Sequence, residues 1–223
     1  MISTAISIDT RQISEMWRVF FVNDKSVIEI RCIDPNSGIA HTSLFRGPDY
    51  ESIEDLKRAV ETYAIMKNRA GYNIYTIMNQ IRPDFCEGSA TDNDIKRRNL
   101  LLIDIDRTGS KKAPASDAEL KAAECLARDI EAYLADQQWT LKAKVMSGNG
   151  YHLYYQLDDL ENTEEVTKAV KSTLKALAKK FDNETVCVDK GVFNASRISK
   201  VPGTIARKGT ESEERPYRMA VVL

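Results

Sequence analysis

Apolar side chains that alternate with polar ones, or stand together between turn formers, mark residues 17–22 and 26–33 as strands, and Asn23-Asp24 between them predicts a hairpin. Residues 34–38, DPNSG, are turn chemistry, and a weaker strand follows before Arg46, Gly47 and Pro48 break the pattern. From Ser52 the period becomes helical, with Ile53, Leu56, Val60 and Tyr63 on one face, until Gly71 ends the helix after about Ala70. Residues 72–78 read as a strand, and 79–98 as a polar connection containing Pro83, Gly88, Asp92 and Asp94.

The second half is more regular. LLIDID at 101–106 is a buried-looking strand. Ser116 and Glu119 have capping-box spacing ahead of Leu120, Ala123, Ala127, Ile130 and Leu134, which predicts a helix to about residue 137. Strands are expected at 141–146 and 151–157 around the SGNG turn at 147–150. A helix over 162–181 follows from Val166, Val170, Leu174 and Leu177, and a short strand at 185–188 ends at Asp189. Strand, helix, strand, strand, helix, strand is the split βαβ order: a four-stranded antiparallel sheet with both helices on one face. In that order the first and third strands are central, so LLIDID and 151–157 should be neighbours.

The most informative detail is the pair of acids in LLIDID. Side chains alternate along a strand, so Asp104 and Asp106 point the same way. Two adjacent carboxylates in a partly dry site are costly without a cation to neutralise them. The split βαβ order places Asp189 beside them. Three carboxylates on one open face are what two Mg²⁺ or Mn²⁺ ions roughly 4 Å apart require, an arrangement that activates a 3'-hydroxyl and stabilises a leaving pyrophosphate. The plain alternative for each acid is a polar turn at a strand end.

Ser147-Gly-Asn-Gly-Tyr-His152 exposes backbone N–H groups that could cradle phosphate, although an Asn-Gly hairpin turn explains the same residues. His152 is one of two histidines and sits in the strand next to the acidic one, placed to donate to a triphosphate oxygen. Residues 190–208 carry five cations and no acid, the mark of an anion-facing surface or of a solvated basic loop. Within that run Arg197 can fork onto phosphate oxygens and Lys200 supplies a point charge.

Composition narrows the class. With 223 residues, 43% hydrophobic and 29% charged, the chain can bury one substantial core or two small units. A net charge of −1 and a pI near 6.2 exclude a globally basic coat for nucleic acid, so any polyanion site is a cleft or stripe. Cys32, Cys86, Cys125 and Cys187 form no C-x-x-C pair, which argues against a zinc ribbon or a disulfide framework. Residues 1–9 lack the cationic flank and apolar run of a signal peptide or anchor, so no membrane partner and a cytoplasmic location are expected.

LLIDIDRTG at 101–109, SGNGYHLYY at 147–155 and VCVDKGVFNASRISKVPGT at 186–204, in this order and at these separations, resemble the three motifs of the archaeo-eukaryotic primase superfamily. The resemblance is closest to the primase-polymerases of plasmids, phages and mobile or CRISPR-associated systems. YNIYTIMN at 72–79 and ATDNDI at 90–95 also resemble that family's approach to its first motif, so the likeness covers about residues 70–208.

The resemblance implies an α+β fold in which an N-terminal α/β unit packs on an RRM-like (split βαβ) unit, with the active-site cleft between them. Here the units would be about 1–98 and 99–223 of a single catalytic core. It implies template-dependent nucleotidyl transfer with two Mg²⁺ or Mn²⁺ ions on Asp104, Asp106 and Asp189. Nucleoside triphosphates would meet Ser147, His152, Arg197 and Lys200, while Asn79 and Tyr75 would line the sugar or template side. The macromolecular partner would be single-stranded or primed DNA. A zinc module and a C-terminal helical domain, which many relatives carry to assist initiation, have no counterpart here, so priming would draw on further domains or on replication or CRISPR partners.

Rival readings fit less well. A rolling-circle nuclease needs two neighbouring metal-binding histidines, and His152 has no such neighbour. A Toprim enzyme places a catalytic Glu ahead of its acid pair on a parallel sheet. A palm-type nucleotide cyclase would lack SGNGYH and SRISKVPGT. A non-catalytic RRM-like module would stack bases on Tyr151, Tyr154 or Tyr155 and bind RNA without metal.

Overall fold

Ile13, Met16, Val19 and Phe20, spaced for one face of a helix, are all buried near the start of the described residues. They form α1 (Thr10–Ser14) and α2 (Met16–Val19), and Asp9 caps the first through Oδ1, which accepts from the N–H groups of Arg11 and Gln12. The computed structural model describes residues 8–110 and 112–223; the leader-free reading of the N-terminus falls largely on residues 1–7, outside this range. The strand expected at 17–22, and its hairpin, are therefore corrected. The alternation of Trp17, Val19 and Phe21 competes with the helical spacing, and burial follows the helix, leaving Phe21 54% exposed.

The hairpin forms one element later. β1 (Val27–Ile33) pairs antiparallel with β2 (Ala40–Arg46) on one side and with β3 (Asn73–Ile77) on the other. α3 (Ile53–Arg69) begins where Ser52 Oγ accepts from the Asp55 N–H and packs Leu56, Val60 and Ala64 into the core. Gly71, at φ +102°, supplies the left-handed residue that turns the chain into β3.

The acidic strand is longer than LLIDID. After β4 (Gln80–Ile81), β5 (Ile95–Arg107) extends back into the expected polar connection, because Ile95 and Arg97 find partners in β4. α4 (Asp117–Asp136) starts at the expected capping box, and β6 (Leu141–Met146) and β7 (Tyr151–Glu161) follow. α5 (Glu164–Phe181) and β8 (Val186–Val188) complete the run. β5 lies between β7 and β8, and β7 between β5 and β6, all antiparallel, with α4 and α5 in contact with each other and with this sheet. Leu101, Ile103 and Ile105 are buried on one face of β5, while Leu102, Asp104 and Asp106 share the other.

Beyond β8 the chain changes sheets. β9 (Ile198–Lys200) pairs with β3 and completes a first sheet of order β2-β1-β3-β9. β10 (Ile205–Ala206) and β11 (Arg218–Met219) form a small ribbon, and β12 (Val221–Val222) adds to the free edge of β6. Among the described residues no helix is long and apolar enough to cross a membrane.

Arg98 holds the crossing segment in place. It is 2% exposed, and its guanidinium donates to Asn162 Oδ1 (3.0 Å), the Phe193 carbonyl (2.8 Å) and Thr167 Oγ1 (2.7 Å). An Arg98→Met variant should lose about 3 kcal/mol of stability, because these buried acceptors are left without a donor. Urea denaturation measures this, and a loss below about 1 kcal/mol would contradict the role.

Candidate functional site

Where β5, β7 and β8 of one sheet face β1, β3 and β9 of the other, they enclose a cavity of about 640 Å³. Its acid wall carries Asp104 and Asp106 from β5 and Asp189 just after β8. The backbone fixes this grouping: the Asp189 N–H donates to the Asp104 carbonyl at 2.8 Å, and Asp106 lies opposite Cys187 in the β5–β8 register. His152 lies opposite Asp104 in the β5–β7 register, with Nε2 3.5 Å from Oδ1. Asp106 Oδ1 accepts from the Arg107 N–H, and its Oδ2 is 4.0 Å from Lys208 Nζ. Asp189 Oδ1 accepts from the Gly191 N–H at 2.7 Å.

The rest of the lining is rich in cations. Arg197, Lys200, Arg207, Lys208 and Lys112 all line the cavity. Lys200 is 2% exposed, donates to the Ile205 carbonyl at 3.2 Å and lies over the Tyr75 ring at 5.4 Å. Burial, reinforced by the Arg207 guanidinium and opposed by Cys32, pushes the Lys200 ammonium down to about 7. Burial also lowers Arg207. Arg207 Nη1 and Arg197 Nε are buried without a hydrogen-bond partner among the described residues, although Arg197 Nη2 donates to the Gly191 carbonyl. Buried guanidinium atoms without acceptors, in the wall of a cavity, suit an anionic ligand.

The SGNG turn closes one end. A Cβ at Gly150 would stand 2.1 Å from the Ile105 carbonyl oxygen, so only glycine lets the turn lie against β5, and Gly148 sits at φ +97°. Ser147 Oγ donates to the Gly150 carbonyl at 3.2 Å, and Asn149 Oδ1 accepts from the Ala115 N–H, tying the turn to the start of α4.

Of the residues singled out from the sequence, Asp104, Asp106, Asp189, Ser147, His152, Arg197, Lys200 and Tyr75 all line this cavity. Asn79 does not. Its Nδ2 donates to the Ala195 carbonyl and its Oδ1 accepts from the N–H groups of Asn99 and Leu100, so it braces β5 against the crossing segment. Arg207 and Lys208 were visible in the sequence only as members of a basic run. Asn149 was visible only as a turn residue of SGNG, and Lys112 carried no signal of its own.

Metal binding can be judged on the donor set. Asp104 and Asp106 present hard carboxylate oxygens on one strand face, the chemistry preferred by Mg²⁺ and Mn²⁺, and Asp189 lines the same cavity. Among the described residues, no three His, Cys, Asp or Glu side chains converge into a group that could hold a metal ion, so the acids share a cavity without closing into a cage.

The buried ammonium has a measurable consequence. Between about pH 7 and 10.5 the unfolded chain keeps a proton on Lys200 that the folded chain sheds, so stability from this group rises with pH. Over the lower part of that window the urea midpoint should climb in the wild type and climb less in Lys200→Met. Parallel profiles for the two proteins would contradict a perturbed Lys200.

No protein-family model matches the chain, and no curated protein does. Solved structures do match. The AEP domain of the cyanophage S-2L primase-polymerase superposes with a TM-score of 0.55 at 15% identity, over 98% of this chain and 91% of that one. The catalytic domain of primase RepB', in complex with initiator DNA, gives 0.52 at 15% identity over 96% and 82%. The polymerase domain of Mycobacterium tuberculosis Ligase D, in complex with DNA, gives 0.50 at 17% over 94% and 79%. At these identities the likeness is one of architecture: the chain has the fold of the archaeo-eukaryotic primase-polymerase domains, the family its three motifs resemble.

Proposed function

We propose that this chain is the catalytic core of a DNA primase-polymerase, a template-dependent nucleotidyltransferase in which a 3'-hydroxyl attacks the α-phosphate of a nucleoside triphosphate and releases pyrophosphate. One observation carries the reading: a single cavity sets Asp104, Asp106 and Asp189 against Arg197, Lys200, Arg207 and Lys208, on a fold shared with primase-polymerases. A triphosphate needs cations around its oxygens, and the reacting end of it needs carboxylates that can hold divalent metal. Both line the one cavity.

Asp104 and Asp106, with Asp189, would hold Mg²⁺ or Mn²⁺, which when bound supplies positive charge at the reacting phosphate. Arg197, Lys200 and Arg207 take the triphosphate oxygens, the guanidinium groups through donors that now lack acceptors. Ser147 and His152 border the phosphates from the turn and from β7, and Tyr75, beside Lys200, borders the sugar or template. In this reading residues 99–223 contribute an RRM-like unit and residues 1–98 the unit packed on it, with the reaction between them. Two structural neighbours were solved with DNA, which supports DNA as the template polymer.

Primer extension on a DNA template with Mg²⁺ or Mn²⁺ tests the reading. The Asp104→Ala, Asp106→Ala double variant should lose about a thousandfold or more of the wild-type rate. Equal rates would refute it.

A further inference from the structure

His152 is held from behind. Its Nδ1 faces away from the acids and lies 3.2 Å from the Tyr154 hydroxyl and 3.3 Å from Ser199 Oγ, and those two hydroxyls are themselves hydrogen-bonded. Tyr154 and Ser199 are 0% and 1% exposed, so water does not reach this junction. The two hydroxyls belong to different sheets. Tyr154 follows His152 by two residues on β7, on the same face, whereas Ser199 stands on β9, beside Thr76 of β3. The contact therefore joins the two walls of the cavity at the histidine.

We propose that Tyr154 and Ser199 are positioning residues that fix the orientation and tautomer of His152 across the seam between the sheets. The hydrogen-bond direction follows from what each end can accept. Nδ1 lies within reach of two buried hydroxyls, each able to donate to it, while Nε2 faces the cavity 3.5 Å from Asp104 Oδ1, so the arrangement favours the proton on Nε2. With the proton on Nε2, Nδ1 is an acceptor and needs a donor. The Tyr154 phenol supplies it, and burial, which pushes its ionisation well up, keeps it protonated. Ser199 in turn donates to the phenol oxygen. The chain of donors runs from Ser199 to Tyr154 to His152 and leaves one N–H directed into the cavity, where a phosphate oxygen can take it in place of Asp104.

This inference rests on the nucleotidyltransferase reading for what the N–H does, but not for its existence, and the experiment separates the two. Long-range ¹⁵N–¹H correlation spectra at mildly alkaline pH report the tautomer of each imidazole, and a His41→Gln variant assigns the His152 signals. The wild type should show a single dominant tautomer with the proton on Nε2, and the Tyr154→Phe, Ser199→Ala double variant a mixture. Phenylalanine keeps the edge contact of residue 154 with the Phe20 ring, and Tyr154→Phe alone, which removes the phenol donor to Nδ1, serves if the double variant fails to fold. In primer extension, Ser199→Ala should raise the nucleotide KM about tenfold with a smaller change in kcat, and Ser199→Thr should restore it. A mixed tautomer in the wild type, or an unchanged one in the variant, overturns the proposal. A wild type that extends no primer but shows the expected tautomer shift would overturn the catalytic reading and leave the positioning role standing.

Discussion

Everything at the site depends on two like charges being kept on one strand face. Asp104 and Asp106 point into the same cavity from β5, and like charges so placed repel each other unless positive charge stands near. The chain provides that charge by changing sheets. β8 pairs with β5, the chain crosses, and β9 pairs with β3, so the crossing brings Arg197 and Lys200 to the cavity from the other sheet, and the chain beyond β9 adds Arg207 and, 4.0 Å from Asp106, Lys208.

The opposed walls are expensive to maintain without a ligand. Lys200 is buried with a carbonyl and a tyrosine ring for company, and guanidinium atoms of Arg197 and Arg207 are buried without acceptors among the described residues. Groups in that condition destabilise the empty fold and bind an incoming polyanion correspondingly well, since the desolvation cost has already been met. The acid wall is stabilised differently, by the backbone N–H groups of Arg107 and Gly191 and by His152 and Lys208 close by. One protein thus holds a site that is electrostatically incomplete on one side and provisionally satisfied on the other.

Much of this was legible in the sequence, for physical reasons that differ by element. α3, α4 and α5 carry strong periodicity and side-chain caps, and their positions follow from the periodicity within a residue or two. The acids were legible because a carboxylate pair inside an apolar strand conflicts with its surroundings. The first helices were misread because Trp17, Val19 and Phe21 also alternate, and only tertiary burial decides between the two periods. Strands β9 to β12 are two or three residues long, too short to show any period, so the sheet crossing could not be read. Asn79 looked like a site residue on resemblance alone, whereas its amide is consumed by three backbone partners. Tyr154 was legible only as a base-stacking candidate and Ser199 only as a motif member, because the contact they make at His152 exists only where the two sheets meet.

The most direct test of the central claim is a crystal structure of the protein with Mn²⁺ and a non-hydrolysable nucleoside triphosphate, in which anomalous scattering locates the metal. The account predicts manganese on the Asp104 and Asp106 carboxylates, with the triphosphate oxygens against Arg197, Lys200 and Arg207 on the facing wall. Nucleotide bound elsewhere on the protein, with this cavity empty of both, would contradict it.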